Sequence, residues 1–156
     1  MLAILDVFFD VFLSILFIAL LVFLASFFII RDLKKEYLKV LKVQSKFDIE
    51  LRKLVNLMSK ILNNEKLSPF ETVVIKKLPH EQKKILLKNI DEIFEQIDME
   101  DKDNAYIIET YERLQETRRT RDSKVLIYNN KIVMFPYNLY ARILKFSKYE
   151  VYTTSE

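Results

Sequence analysis

The sequence predicts an all-α protein in which an N-terminal transmembrane helix continues into an antiparallel up-and-down four-helix bundle. Three observations carry that expectation. Twenty residues, Val11 to Ile30, hold no charge, and sixteen of them are Val, Leu, Ile or Phe. Two later stretches repeat apolar residues at spacings of 4 and 3, the seam of a packed helix. The 156 residues contain no glycine, where average usage would give about eleven. Tight hairpin turns are therefore hard to make, and long helices joined by a few loops are the natural solution.

The apolar stretch comes first. As a helix it spans about 30 Å, the thickness of a bilayer's hydrocarbon core. A cleaved signal peptide would need a basic start and a shorter apolar core, whereas residues 1–30 contain no Lys or Arg. The flanks set an orientation. Only Asp6 and Asp10 precede the span, while Arg31, Lys34, Lys35, Lys39 and Lys42 follow it. The positive-inside rule then puts the N-terminus outside, makes residues 1–30 the anchor, and leaves residues 31–156 as a cytoplasmic bundle at the cell membrane. Asp6 and Asp10, four apart, share a face at the outer interface.

The helical signal runs on without a break. Leu33, Tyr37, Val40, Gln44, Phe47, Leu51, Leu54, Met58 and Ile61 form a coiled-coil-like seam over four heptads. No proline interrupts residues 11–62, so anchor and first cytoplasmic helix can be one rod, ended by Asn63-Asn64. Ser68-Pro69-Phe70-Glu71 reads as a capping box opening a helix to about Leu78. Residues 80–97 carry Ile85, Leu86, Ile90, Ile93, Phe94 and Ile97 at helical spacing, and residues 98–104 are a polar loop. The last long helix is expected from Ala105 to Met134. Its seam is Ile107, Tyr111, Leu114, Arg118, Arg121, Val125, Tyr128, Ile132 and Phe135. Pro136 breaks it. A short helix over 137–146, capped by Asn138, and a polar tail complete the chain. Tyr137, Tyr140, Phe146, Tyr149 and Tyr152, with Arg142, Lys145 and Lys148, read either as an interfacial amphipathic helix or as a partner dock. If instead Phe135, Leu139 and Ile143 pack onto the bundle end, the aromatic tail is the expected contact surface.

Composition excludes more than it assigns. With no cysteine and only His80, disulfides, thiolate ligands and an ordinary zinc site are out. Without glycine there is no phosphate-cradling loop, dinucleotide fingerprint or nucleophile elbow. His80 has no nucleophile beside it in sequence and reads as a surface residue at a helix start. All 25 basic residues follow residue 30, with 20 of the 22 acids. The basic face of 31–88 suits anionic inner-leaflet lipids rather than nucleic acid, because it lies beside the membrane.

Tyr128-Asn129-Asn130-Lys131-Ile132-Val133-Met134-Phe135-Pro136-Tyr137-Asn138-Leu139-Tyr140-Ala141 resembles the closing signature of the LemA family, Tyr-Asn-x-x-Ile-x-x-Phe-Pro-x-Asn-Leu-x-Ala. Phe146 falls where that family has Gly-Phe, with Lys145 in place of the glycine. Val43-Gln44, Phe47-Asp48-Ile49 and Leu54-Val55 resemble its early helix. The likeness implies a membrane-anchored antiparallel helix bundle with no assigned enzymatic activity or cofactor.

Two polar features interrupt the seams. Matching the ends of the two long seams brings Gln44 within about one turn of Arg121. Gln44 and Arg121 should then meet in mid-bundle, with Asp48 or Glu50 neutralising Arg121 or Arg118. Such a layer adds little stability but fixes register. The function expected is a non-enzymatic, membrane-anchored scaffold or adaptor working through protein partners. The alternative is an accessory role in envelope stress or membrane proteolysis.

Overall fold

The computed structural model describes residues 2–62 and 66–153, all helical or irregular, with no strand among them. Asn63-Asn64 lie outside the described residues, as do the side chains of Asp6 and Asp103. The helices are α1 (Leu2–Leu62), α2 (Ser68–Glu71), α3 (His80–Phe94), α4 (Ala105–Val133) and α5 (Tyr137–Ile143). Single 3-10 turns occur at Ile75–Lys77 and Lys102–Asn104.

α1 is one uninterrupted helix of 61 residues, about 92 Å long. Its N-terminal part is apolar and long enough to cross a membrane, and no protein covers it. Every large apolar side chain from Val7 to Leu24 is exposed. The remainder of α1 is amphipathic and carries the fold. Asp32 is paired with Lys131, and Gln44 with Arg121, so partner numbers fall along α4 as they rise along α1. The meeting point is about one turn from the end-matched register, because α4 stops at Val133 and Phe135 cannot be its last seam residue.

The buried side chains form two clusters. One, distant from the apolar stretch, joins Phe47, Leu51, Leu54 and Met58 of α1 to Leu86, Leu87 and Ile90 of α3 and to Ile107 and Leu114 of α4. The other joins Leu33 and Val40 to Val125, Tyr128, Ile132 and Ala141. Tyr37 and Phe146 pack there with ring centroids 5.1 Å apart.

Several local expectations are corrected. Ser68 is not a helix cap. Leu67 occupies that position with no side-chain cap bond, α2 is a single turn, and Glu71 accepts a hydrogen bond from Ser59 across to α1. α3 ends at Phe94, Ile85 faces solvent, and Lys83 is buried in its helix instead. Ile61 is half exposed. Phe135 is 79% exposed, because Met134 leaves the helix in an extended conformation and the seam ends there. The Phe135-Pro136 peptide is cis. Leu139 and Ile143 also face outward, while Ala141 points into the core. Asn138 caps nothing. α5 begins one residue earlier, and the Asn138 Oδ1 atom is buried without a hydrogen-bond partner.

α5 closes with a left-handed residue. Phe146 N–H donates to Ala141 O and Lys145 N–H to Arg142 O, the paired bonds of a Schellman cap. Lys145 takes φ 58°, in the left-handed region that favours glycine. A side chain bearing Cβ costs roughly 1–2 kcal/mol there, partly offset by glycine's greater chain entropy. Lys145→Gly should therefore raise stability by about 0.5–1 kcal/mol in thermal unfolding. A decrease would contradict this reading of the cap.

Candidate functional site: a buried charged layer closed by the C-terminal segment

Between the two apolar clusters lies a polar layer drawn from α1, α3, α4 and the segment after α5. Arg121, on the inward face of α4, is 2% exposed. Its Nε donates to Gln44 Oε1 at 2.8 Å, and its Nη1 to Asp122 Oδ1 at 2.7 Å and to Glu150 O at 2.6 Å. Its guanidinium lies 4.3 Å from the centre of the Tyr152 ring. Gln44 passes the chain on, donating from Nε2 to Asp48 Oδ1 at 2.9 Å. Asp48 in turn accepts from Lys83 Nζ of α3 at 2.6 Å, both side chains being under 9% exposed. Two cations and two carboxylates are thus linked through one amide, and the layer is neutral as a whole.

Of the residues named from sequence, Gln44 and Arg121 are brought together. Asp48 serves Lys83 rather than an arginine. Glu50 pairs with Lys53 on its own helix. Arg118 reaches Asp91 of α3 at 3.4 Å and Tyr152 O at 2.8 Å. Asp91 also accepts from the Tyr111 hydroxyl and from Gln115. Burial, together with that bond, pushes the Tyr111 phenol up to about 12.

The closing element is the segment 147–153, expected as a polar tail and found laid along α4. Asn129 holds it with a reciprocal amide pair, Nδ2 donating to Tyr149 O at 2.7 Å and Oδ1 accepting from Tyr149 N–H at 3.0 Å. The Tyr128 hydroxyl donates to Ser147 O. Asp122 accepts the backbone N–H groups of Tyr152 and Thr153 and the Thr153 hydroxyl. Tyr152 is inserted between Phe47 and His80, its ring stacked 4.9 Å from the first and 4.4 Å from the second. The adjacent Tyr128 and Asn129 thus fasten the segment.

Sequence reading missed Asp122, Lys83 and Thr153, and it expected Tyr149 and Tyr152 on a contact surface, whereas Tyr152 is buried and Tyr149 packs on the core. A signal existed: Asp122 is the one acid in residues 117–148 and follows the seam arginine directly. Tyr149 and Tyr152 are also too apolar for a solvated tail.

Chemically, the layer is closed. Its ionic groups engage one another and the backbone, and no nucleophile is positioned against a base among them. The donor atoms of His80, Glu81 and Glu150 come within 4.8 Å of one another, but both glutamates are solvent-exposed, and exposed acids cluster commonly without an ion. His80 Nε2 lies 3.2 Å from Glu150 Oε2, without hydrogen-bond geometry.

Two groups give the closure an acid dependence of defined sign. Burial, the largest effect, holds His80 below its ordinary 6.5, against the pull of Glu150 and helped by Lys84 and Arg121. The unfolded chain then takes up the proton first, so this contribution is complete above pH 6.5 and declines as pH falls toward the folded value. For Asp122, burial raises the pKa. The bonds from Thr153, Arg121 and the two backbone N–H groups outweigh burial, and the net shift is downward from 3.8. Its contribution persists at neutral pH and is lost only as pH falls through that lowered folded pKa. Thermal unfolding between pH 7 and about 5 should show a decline in stability that His80→Gln abolishes. An equal decline in the variant would refute the assignment.

No protein-family model matches the chain, and neither does any curated protein or any solved structure.

Proposed function

We propose that the protein is a non-enzymatic, membrane-anchored scaffold or adaptor of the LemA type. It crosses the cell membrane once, N-terminus outside, and presents α1, α3, α4 and α5 as an antiparallel up-and-down bundle in the cytoplasm. The observation that carries this reading is α1 itself. Its apolar half is bare of protein cover, while its other half is continuous with it and contributes to both core clusters, through Leu33 and Val40 in one and Phe47, Leu51, Leu54, Val55 and Met58 in the other. A helix unbroken from bilayer to bundle holds the bundle rigidly against the membrane, which is what a docking platform needs.

The charged layer supports an architectural role, because its groups are engaged in holding α1, α3, α4 and the closing segment together. Arg31, Lys34, Lys35, Lys39 and Lys42 follow the apolar stretch and suit anionic lipid headgroups, at about 1 kcal/mol each. The resemblance in residues 128–146 is consistent with this architecture. The signature residues Tyr128, Asn129, Ile132, Ala141 and Phe146 hold the closing segment or its packing. Phe135, Pro136, Asn138 and Leu139 shape the α4–α5 corner.

Affinity purification of the full-length chain from solubilised membranes tests the proposal. A protein partner should co-purify at constant ratio across independent preparations and detergents. A membrane protease as that partner would favour the accessory role. Isolation of the chain alone in every detergent would contradict the scaffold.

A further inference from the structure

The α4–α5 corner presents apolar side chains that stand exposed among the described residues. Val133, Met134, Phe135, Leu139, Ile143 and Leu144 are all exposed, Phe135 and Ile143 by 79% and 74%. Ordinary surfaces scatter such residues singly. Here they are gathered within twelve positions at one end of the bundle, and a grouping of this kind marks a contact surface.

The position of the corner along α1 says what covers it. The Tyr140 hydroxyl and Ser26 Oγ are 2.5 Å apart, and Ser26 belongs to the apolar stretch itself. Going along α1, Ser26, Ile29 and Ile30 are the first of the described side chains that are partly covered, and α5 packs against α1 here. One step further, the Tyr137 hydroxyl donates to Asp32 at 2.8 Å, and Lys131 pairs with the same carboxylate at 2.6 Å. α5 therefore stands level with residues 26–32 of α1. Ser26 precedes Arg31 by five residues, about 7.5 Å along the helix. A helix lying in a bilayer interface buries its apolar face to a depth of about 5–10 Å.

Charge points the same way. Residues 123–149 contain Lys124, Lys131, Arg142, Lys145 and Lys148 and no acid. Arg142 and Lys145 are exposed beside Ile143. The one carboxylate bonded to α5, Asp32 of α1, is already paired with Lys131, and an apolar wedge whose own segment carries only cations fits an anionic leaflet.

We infer that the α4–α5 corner is a second membrane contact, in which Met134, Phe135, Leu139 and Ile143 enter the acyl boundary of the leaflet from which α1 emerges. This rests on α1 being a membrane span. The consequence is mechanical: with two contacts the bundle cannot pivot about α1, and it stands in one orientation on the membrane.

The chain lacks cysteine, so single cysteines at Phe135, Ile143, Leu16 and Ile85 can each carry an environment-sensitive fluorophore. All four positions are exposed, and far-UV circular dichroism checks that each variant is folded. The full-length protein is reconstituted in phosphatidylcholine vesicles containing phosphatidylglycerol, with nitroxide on the lipid chains or iodide in the water as quencher. Labels at positions 135, 143 and 16 should be quenched from the lipid and shielded from iodide, whereas position 85 should show the reverse. If 135 and 143 behave like 85 while 16 stays in lipid, the wedge is refuted and the span survives. If 16 is reached from water, the span reading fails and the inference fails with it. Shielding of 135 and 143 from both quenchers would mean that a second copy of the chain covers the corner, and would also overturn the inference.

Discussion

Replacing Arg121 with alanine should destabilise the full-length protein by about 3–5 kcal/mol, the cost of breaking a buried ion pair from one side. The mechanism is specific to this layer. Arg121 is enclosed among Gln44, Asp122, Glu150 O and Tyr152, so its removal leaves Asp122 less than a tenth exposed without its cation. It also strips Gln44 of its donor. A paired substitution separates charge from shape. Arg121→Met with Asp122→Asn removes both charges and keeps most of the volume, so it should lie closer to the wild type than Arg121→Ala does. Thermal unfolding followed by circular dichroism measures all three. A loss under about 1 kcal/mol for Arg121→Ala would mean that water already solvates the site, and the layer would lose its structural role.

Tyr152→Ala is expected to have the next largest effect, also about 3–5 kcal/mol, the range for truncating a buried aromatic. Tyr152 is 4% exposed and stacks on Phe47 and His80 while covering the Arg121 guanidinium. Its loss opens the layer to water from the C-terminal side. Because the segment 147–153 has no helix of its own and is held by side-chain bonds to its backbone and by the packing of Tyr149, Val151 and Tyr152, release can be local as well as global. Amide hydrogen exchange distinguishes the two. The N–H groups of Tyr149, Tyr152 and Thr153 should lose protection in the variant, while amides around Leu114 on α4 keep most of theirs. Unchanged protection at Tyr152 and Thr153 would show that Asp122 holds the segment without the aromatic plug.

The long-period features were legible in the sequence because they repeat. The bare apolar stretch, the continuous α1, and most of the α1 and α4 seams follow from spacing alone. So does the meeting of Gln44 with Arg121, since two polar residues placed in apolar seams have few other partners. What repeats only once was not legible. Asp122 is off the seam of α4, and its partners are backbone N–H groups thirty residues later, which no periodicity encodes. Lys83 is buried because Asp48 faces it from α1, a pairing set by helix rotation rather than by spacing. Phe135 shows the opposite failure. It continues the seam in sequence, but α4 ends at Val133 and the pattern has no helix beneath it. The capping box at Ser68 and the cap at Asn138 failed for a similar reason. A one-turn or seven-residue helix is positioned by its tertiary neighbours, and a shift of one residue moves the cap off its site.

Everything proposed for the chain depends on α1 crossing a bilayer with residues 31–156 on the cytoplasmic side. The most direct measurement is the location of a reporter, active only in the cytoplasm, fused after Glu156 of the full-length chain. The expected result is reporter activity in intact cells, with the fusion in the membrane fraction and resistant to high-salt and alkaline extraction. A silent reporter that external protease can reach, or a fusion that salt releases into the soluble fraction, would contradict the orientation in the first case and the span itself in the second.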